Sequence, residues 1–437
     1  MSKKEEKKPT KRTIQVKYLA RVEGEGGLDV TVEGKKVKEL ALRIFEPPRF
    51  FEAFLRGRKY QEAPDITSRI CGICPVAYQM SAVSAMESAL HLKPENSIQQ
   101  LRRMLYCGEW IESHTLHIYL LHAPDFLGFE GAIEMAKKFP EIVKRGLGLK
   151  KTGNSLMALL GGREIHPINV RVGGFYRAPS KQELSALVPE LSSARAAAEE
   201  TVHWVSKFSF PEYERDYEFV SLRSSDSVYP IERGQVVSTS GLSFSASEFD
   251  DFIKEEQVPH STALHARLKG KPYLVGPLAR FNLNFDRLSP STRKLAKDIG
   301  FVPPINNPFK SIIARSLEVH YACDEALRII FSYEKPNEPY SEATPRTSVG
   351  FGLTEAPRGL LYHQYKLDKD GIIEAAQIVP PTSQNLMTIE EDLKSFIEEN
   401  SELSQKELGW RCEQLIRNYD PCISCSAHFL KVKWEEL

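Results

Sequence analysis

Two Cys-x-x-Cys pairs lie at opposite ends of the chain, Cys71-Gly72-Ile73-Cys74 and Cys422-Ile423-Ser424-Cys425. Two intervening residues let both sulfurs of a pair face one ion, so each pair can act as a bidentate clamp. Four thiolates make a soft, strongly donating set suited to zinc, an iron–sulfur cluster or nickel. Zinc ribbons place their pairs about 15–20 residues apart within one small module. Here one pair follows an N-terminal β region and the other lies far along the chain, so a shared ion would clamp the whole fold. Spacing alone leaves open a structural zinc, a redox-active pair and a core cofactor. Pro75, directly after the first pair, suits the first turn of a helix. Cys74 is then expected at a helix N-terminus, where unpaired N–H groups and the dipole favour thiolate.

The elements that must carry these residues follow from hydrophobic period. Residues 13–46 alternate apolar and polar side chains with glycines at the turns, which predicts a small β region. From Pro75 the period becomes helical: PVAYQMSAVSAMESALHL and ENSIQQLRRMLYCGEWIESHTLHIYLL repeat apolar residues at i, i+3, i+4 and i+7. KQELSALVPELSSARAAAEETVHWVSK and FKSIIARSLEVHYACDEALRIIFSY read the same way, and TIEEDLKSFIEENSELSQKELGWRCEQLIRN reads as two helices. Residues 359–378 predict a hairpin turning at Asp370-Gly371. The expected fold is mainly α with small β elements (α+β): a core bundle of long helices, an N-terminal β region and that hairpin. Residues 1–12 are expected to be a disordered leader, 13–428 one domain and 429–437 a C-terminal tail.

Composition narrows the classes. Of 437 residues, Lys and Arg number 58 and so do Asp and Glu, giving a formal charge of zero. No basic field favours nucleic acid as a partner. No run of 18 or more apolar residues predicts a spanning helix. The start, MSKKEEKKPTKRT, has no apolar stretch of the secretory kind. Seven cysteines, an odd and modest count, fit a cytoplasmic chain whose thiols bind metal or stay reduced.

The residues flanking the pairs are more specific. Thr67-Ser68-Arg69-Ile70 leads into the first, and Asp420-Pro421 precedes and Ser426-Ala427-His428 follows the second. With Arg21-Val22-Glu23-Gly24, Arg49-Phe50-Phe51-Glu52, Gly161-Gly162-Arg163, His166-Pro167, Ala356-Pro357-Arg358-Gly359 and Pro380-Pro381-Thr382, the chain resembles the nickel–iron hydrogenase large subunit along nearly its whole length. CGICPVAYQMSA looks most like the cytoplasmic subclass coupled to NAD(P), which includes the sulfhydrogenases.

The resemblance implies a reaction, the reversible conversion of H2 to protons and electrons, and a set of roles. Cys71 and Cys422 would be terminal nickel ligands, with Cys74 and Cys425 bridging to an iron that carries carbon monoxide and cyanide. Arg358 and Thr382 match the residues that contact those ligands. Glu52, the backbone carbonyl of Ile378 and the ring of His428 match the ligands of a magnesium, mainly hard oxygen donors as that ion prefers. Heterolytic cleavage needs a hydride acceptor and a base close together, then a relay group suited to neutral pH. Glu23 matches the family's relay, taking the proton from Cys422. Arg358 would polarise or deprotonate hydrogen, braced by Asp420 through charge-assisted hydrogen bonds.

The resemblance also implies partners. No cysteines remain in a cluster-binding pattern, so electrons must leave through a small subunit with iron–sulfur clusters and then flavin- and NAD(P)-binding subunits. The nearest Gly-rich segment, Gly24-Glu25-Gly26-Gly27, lacks the following helix of a dinucleotide fingerprint. A maturation protease would remove the residues after His428 once nickel is in place. A hydrogen-sensing relative, or a zinc-stabilised scaffold like the quinone-site subunit of respiratory complex I, are the other readings.

Several residues have structural readings instead. His114 and His117 share a helical face and are expected to be packed, hydrogen-bonded core residues. Cys107, Cys323 and Cys412 are expected to behave as small buried hydrophobes. Arg315 and Glu318 are expected to pair on a helix surface or interface, and Asp125 to cap or turn the chain. Tyr78 and Ser113 depart from the histidine and aspartate that many family members carry there, changes expected in the outer shell of the site.

Overall fold

The computed structural model describes residues 11–226 and 228–427. Five long helices form its centre: Pro75–Leu90, Asn96–Leu116, Pro140–Gly161, Val188–Val205 and Ser311–Phe331. Asn96–Leu116 is buried on nearly every side because Pro140–Gly161 and Ser311–Phe331 pack along it. Its apolar and polar residues alike are therefore core, down to Trp110, Glu109 and His114. A π-helical turn, His117–His122, continues it.

The N-terminal β region is an antiparallel sheet of Lys11–Val16, Gly26–Glu33 and Lys36–Ile44, in that order. Residues 11 and 12, expected in the leader, are the first two of this sheet. Its alternate residues Leu28, Val30 and Val32 face helices Pro381–Glu399 and Gln405–Asn418, forming a second core. The helix pair lies where the sequence places it.

The expected hairpin is present as Gly359–Leu367 and Ile373–Val379, and Ser348–Ala356 adds a third antiparallel strand. Helix Pro75–Leu90 lies directly on that added strand. A Cβ on Gly350 would stand 2.0 Å from the Ala85 carbonyl oxygen, and one on Gly352 2.3 Å from that of Ser81. Short strands between residues 220 and 268 form a third core against the same sheet. Among the described residues, no helix is long and apolar enough to cross a membrane.

Candidate metal centre

Each end of the cluster is set by a helix start. Cys74 is the residue before Pro75–Leu90, with Pro75 in the first turn as expected. Cys422 holds the same place before the short helix Ile423–Ser426. Asp420, at φ 51°, turns the chain out of helix Gln405–Asn418 and toward the first pair. The two ends are then stitched together by backbone. Ile423 N donates to Glu23 O at 2.9 Å, and Arg49 N donates to Ala427 O at 3.0 Å. The Arg49 guanidinium bonds both the Ile70 carbonyl, at 2.7 Å, and the Ser424 carbonyl.

The result brings together all four expected cysteines. Cys71 Sγ lies 3.6 Å from Cys422 Sγ and Cys74 Sγ 3.8 Å from Cys425 Sγ. The four sulfurs fall within 4.8 Å of one another, and all four residues are buried. Hydrogen bonds from Cys422, Cys425 and Cys74 hold the Cys71 thiol well below its usual range, whereas burial raises that of Cys422. A buried set of soft donors, one poised as thiolate, fits a soft or borderline metal.

The polar groups around the sulfurs are also those the sequence names. Cys422 Sγ is 3.0 Å from Glu23 Oε2, which accepts Ser424 N at the same distance. Glu23 itself is half-buried. Thr382 Oγ1 accepts Cys422 N at 3.0 Å. Arg358 is 2% exposed and donates through Nε to the Asp420 carbonyl at 2.8 Å and through Nη2 to Asp420 Oδ1 at 3.2 Å. Burial opposes its charge, but Asp420 and the sulfurs overcome that and hold the guanidinium well above its usual range. Ser113 Oγ stands 3.5 Å from Arg358 Nη1. The Tyr78 phenol is pushed well up by burial and by Cys425 and Cys74. Nearby, the buried Glu52 carboxylate accepts Ile378 N at 2.7 Å, so these two residues do meet. His428 lies outside the described residues.

Three expectations are corrected. The N–H groups after Cys74 are not unpaired: Glu109 Oε2 accepts Val76 N at 2.6 Å and Oε1 accepts Ala77 N at 3.1 Å. Those donors are spent on a carboxylate; among the sulfurs, the hydrogen bond with Cys422 lowers the Cys74 thiol, but those with Cys425 and Cys71 and its burial raise it above its usual range. Arg315 and Glu318 are not a surface pair. Both are buried; Glu318 is bound through both oxygens by Arg280, at 2.7 and 2.8 Å, with Glu355 on the same guanidinium. Asp125 is not a simple cap but a buried carboxylate between Arg417, at 2.7 Å, and Arg21, at 2.5 Å.

The reading of the isolated cysteines holds, and both histidines are packed in the core, but of the two only His117 makes an aligned hydrogen bond among the described residues. His114 Nε2 is 2.9 Å from Glu318 Oε2, and His117 Nε2 is 2.8 Å from the Arg417 carbonyl. Cys107, Cys323 and Cys412 are buried, and burial raises each thiol. Glu109 is a site residue that sequence reasoning missed. Its only signal is a carboxylate in an otherwise core-facing helical run.

Comparison with known proteins agrees with this geometry. The nickel-dependent hydrogenase family model matches residues 49–146 and 243–428. Sulfhydrogenase 1 subunit alpha of Pyrococcus furiosus is 35% identical over 96% of this chain and 98% of its own. Sulfhydrogenase 2 subunit alpha of the same organism is 33% identical over 96% of this chain and all of its own. The crystal structure of an NAD+-reducing nickel–iron hydrogenase in the H2-reduced state superposes with a TM-score of 0.87, at 25% identity, covering 96% of this chain and 100% of that one. Sequence, fold and the four converging sulfurs therefore agree, and the chain belongs to the nickel-dependent hydrogenase large-subunit family.

Proposed function

We propose that this chain is the catalytic subunit of a cytoplasmic nickel–iron hydrogenase that delivers electrons from H2, through partner subunits, to NAD(P). The observation that carries the reading is the contact between Cys422 Sγ and Glu23 Oε2 beside the other three sulfurs. Cys71, Cys74, Cys422 and Cys425 would hold the metals, with Cys71 and Cys422 as terminal ligands and Cys74 and Cys425 as bridges. When bound, a nickel–iron centre supplies an electron-accepting, Lewis-acidic site for dihydrogen. The protein's own part is to move the proton and fix the charges.

Cys422 receives the proton at Sγ and passes it 3.0 Å to Glu23 Oε2. The Ser424 N–H donated to that oxygen keeps the carboxylate aimed at the sulfur. Arg358, fixed by Asp420, presents a permanent cation in a buried pocket. Of its two expected roles, polarising hydrogen fits a guanidinium held this firmly in its charged form. Thr382 and Arg358 line the side of the pocket where the iron's diatomic ligands would lie. Glu52 and Ile378, which already meet, would take a magnesium together with His428.

The electrons need a small subunit with iron–sulfur clusters, then flavin- and NAD(P)-binding subunits. The likeness to sulfhydrogenase alpha subunits and to an NAD+-reducing hydrogenase supports that coupling. A maturation protease acting after His428 completes the proposal.

The test is hydrogen-dependent reduction of an artificial dye and of NAD+ and NADP+ by the assembled complex from its native host. Infrared bands of iron-bound carbon monoxide and cyanide, with one nickel per chain, are expected alongside. Dye reduction without nicotinamide reduction would remove the NAD(P) coupling alone. Equimolar zinc with no nickel would overturn the enzyme reading in favour of a scaffold.

A further inference from the structure

A second set of ligating side chains gathers against helix Pro381–Glu399, further along it from Thr382. His260 lies in the connection between strands Ile253–Glu256 and His265–Leu268, and His265 opens the second of them. Glu390 lies on the helix, which packs across His265–Leu268 and across Lys36–Ile44. His260 Nε2 stands 2.7 Å from Glu390 Oε1, and His265 Nδ1 stands 3.9 Å from Oε2. The three ligand atoms fall within 4.8 Å of one another. The two rings meet edge to face, with centroids 5.7 Å apart.

His265 is the informative member. It is 2% exposed, and its Nε2 has no hydrogen-bond partner among the described residues. Its Nδ1 faces a carboxylate oxygen at a distance too long for a hydrogen bond. That distance is close to the separation of two donors on one tetrahedral ion, roughly 3.4 Å for bonds of about 2.1 Å. A neutral imidazole keeps one unprotonated ring nitrogen whose lone pair can ligate. Metal binding requires that state.

The surroundings hold the set in place. Leu42 N donates to Glu390 Oε1 at 3.0 Å and fixes the carboxylate. The connection carrying His260 is pinned to the neighbouring sheet by Thr262, whose N–H reaches Ile44 O at 2.8 Å and whose hydroxyl reaches Glu46 O at 2.9 Å. The side chains of His260 and Glu390 are 28% and 18% exposed, which leaves an entry path and room for a water ligand.

We propose that His260, His265 and Glu390 bind one divalent cation of the zinc class, at a site separate from the four sulfurs. Two imidazoles and a carboxylate form a borderline donor set that suits Zn2+ better than the hard Mg2+ or Ca2+. The ion would join the Ile253–Leu268 hairpin to the helix whose first turn carries Thr382. Glu390 lies about 12 Å further along that helix, at about 1.5 Å per residue. The site therefore supports the metal centre without touching it, and its ion does not depend on what the sulfurs hold.

The experiment uses the assembled complex, treated with chelator, dialysed and reloaded with ZnCl2. Metals are counted by plasma mass spectrometry and the zinc environment is read by X-ray absorption. The expected result is one tightly held zinc per chain in the wild type, with a nitrogen and oxygen shell near ~2.0 Å rather than sulfur near ~2.3 Å. His260→Gln and Glu390→Gln should each weaken that zinc at least tenfold, and zinc should raise the melting midpoint of the wild type only. Nickel content should be the same in all three proteins. Zinc binding unchanged in both variants, no retained zinc in the wild type, or a sulfur shell at the zinc edge would overturn the proposal. Loss of nickel with zinc intact would bear on the four-sulfur centre and leave this site standing.

Discussion

At Cys422 a sulfur, a carboxylate and a backbone N–H meet within hydrogen-bond distance, and the geometry separates two roles that one substitution could confuse. Glu23→Gln keeps an acceptor for Ser424 N but cannot carry a proton. It should lower hydrogen–deuterium exchange by at least about 100-fold, the scale of a lost general base, while nickel content stays at the wild-type level. Cys422→Ser removes a soft ligand and should lose hydrogen uptake altogether. Normal exchange in the glutamine variant would take Glu23 off the proton route. Buried histidines contribute to acid stability, and His114 is one of them. His114 is fully buried, and burial holds it at about 4 against 6.5 in the unfolded chain. Between those values the unfolded state binds the extra proton, so stability is full above pH 6.5 and falls as pH drops toward 4. The loss is about 2–4 kcal/mol at 1.36 kcal/mol per unit. Denaturation midpoints measured across pH 4–7 should show it, and His114→Gln should make that slope shallower, with His117 and His122 still contributing. The cysteine pairs, Glu23, Arg358 and Thr382 were legible because each sits in a short run of distinctive residues. Glu109 was not, because nothing in a helical pattern says that one buried carboxylate will reach back to another helix's first turn.

At the scale of elements, glycine hid two of those that sequence period missed. Helix Pro140–Gly161 contains Gly146, Gly148 and Gly153, which lower helix propensity and blur the apolar stripe. Two of them are there for close approach. A Cβ on Gly146 would stand 2.5 Å from the Tyr119 ring, and one on Gly153 2.6 Å from Gly108 O and 2.7 Å from Glu112 N. Strand Ser348–Ala356 was hidden likewise by Gly350 and Gly352, which let helix Pro75–Leu90 rest on bare backbone. The β elements that were legible, the N-terminal sheet and the hairpin at Asp370-Gly371, have alternating side chains or an explicit turn pair. Gly153→Ala follows from the same contacts. Its methyl meets backbone that cannot swing aside, so helix Asn96–Leu116 must shift, and Glu109 with it. The expected cost is about 1–3 kcal/mol, read as a lowered denaturant midpoint, with reduced nickel loading. An unchanged midpoint would mean that the two helices are not held as closely as described.

Across the whole molecule, the metal centre exists only if residues near 21 and near 420 are held against the helical core between them. Asp125 supplies that hold. It is buried, accepts Arg417 Nε at 2.7 Å and Nη2 at 2.9 Å, and accepts Arg21 Nη2 at 2.5 Å. Arg417 in turn donates to the Ala20 carbonyl at 2.8 Å, and Arg21 to that of Leu121 at 2.7 Å. One carboxylate thus fixes the segment that leads to Glu23 and the helix end that leads to Asp420 and Cys422. Asp125→Asn keeps the shape but removes the charge that the half-buried Arg21 pairs with and leaves the buried Arg417 with only the more exposed Glu413, at 3.2 Å. Breaking a buried pair in this way costs about 3–5 kcal/mol. The effect should go beyond stability, because the two segments it frees carry both ends of the Cys422–Glu23 contact. Protein that still assembles with nickel should show slower hydrogen–deuterium exchange than wild type, and Asp125→Glu should recover part of it. Arg215→Met serves as the control. It breaks a comparable pair, Arg215 with the buried Asp392, on the Pro381–Glu399 helix. It should lower stability while leaving exchange per nickel unchanged. Equal loss of exchange in both variants would show that Asp125 acts through general stability and not through the alignment of the two chain ends.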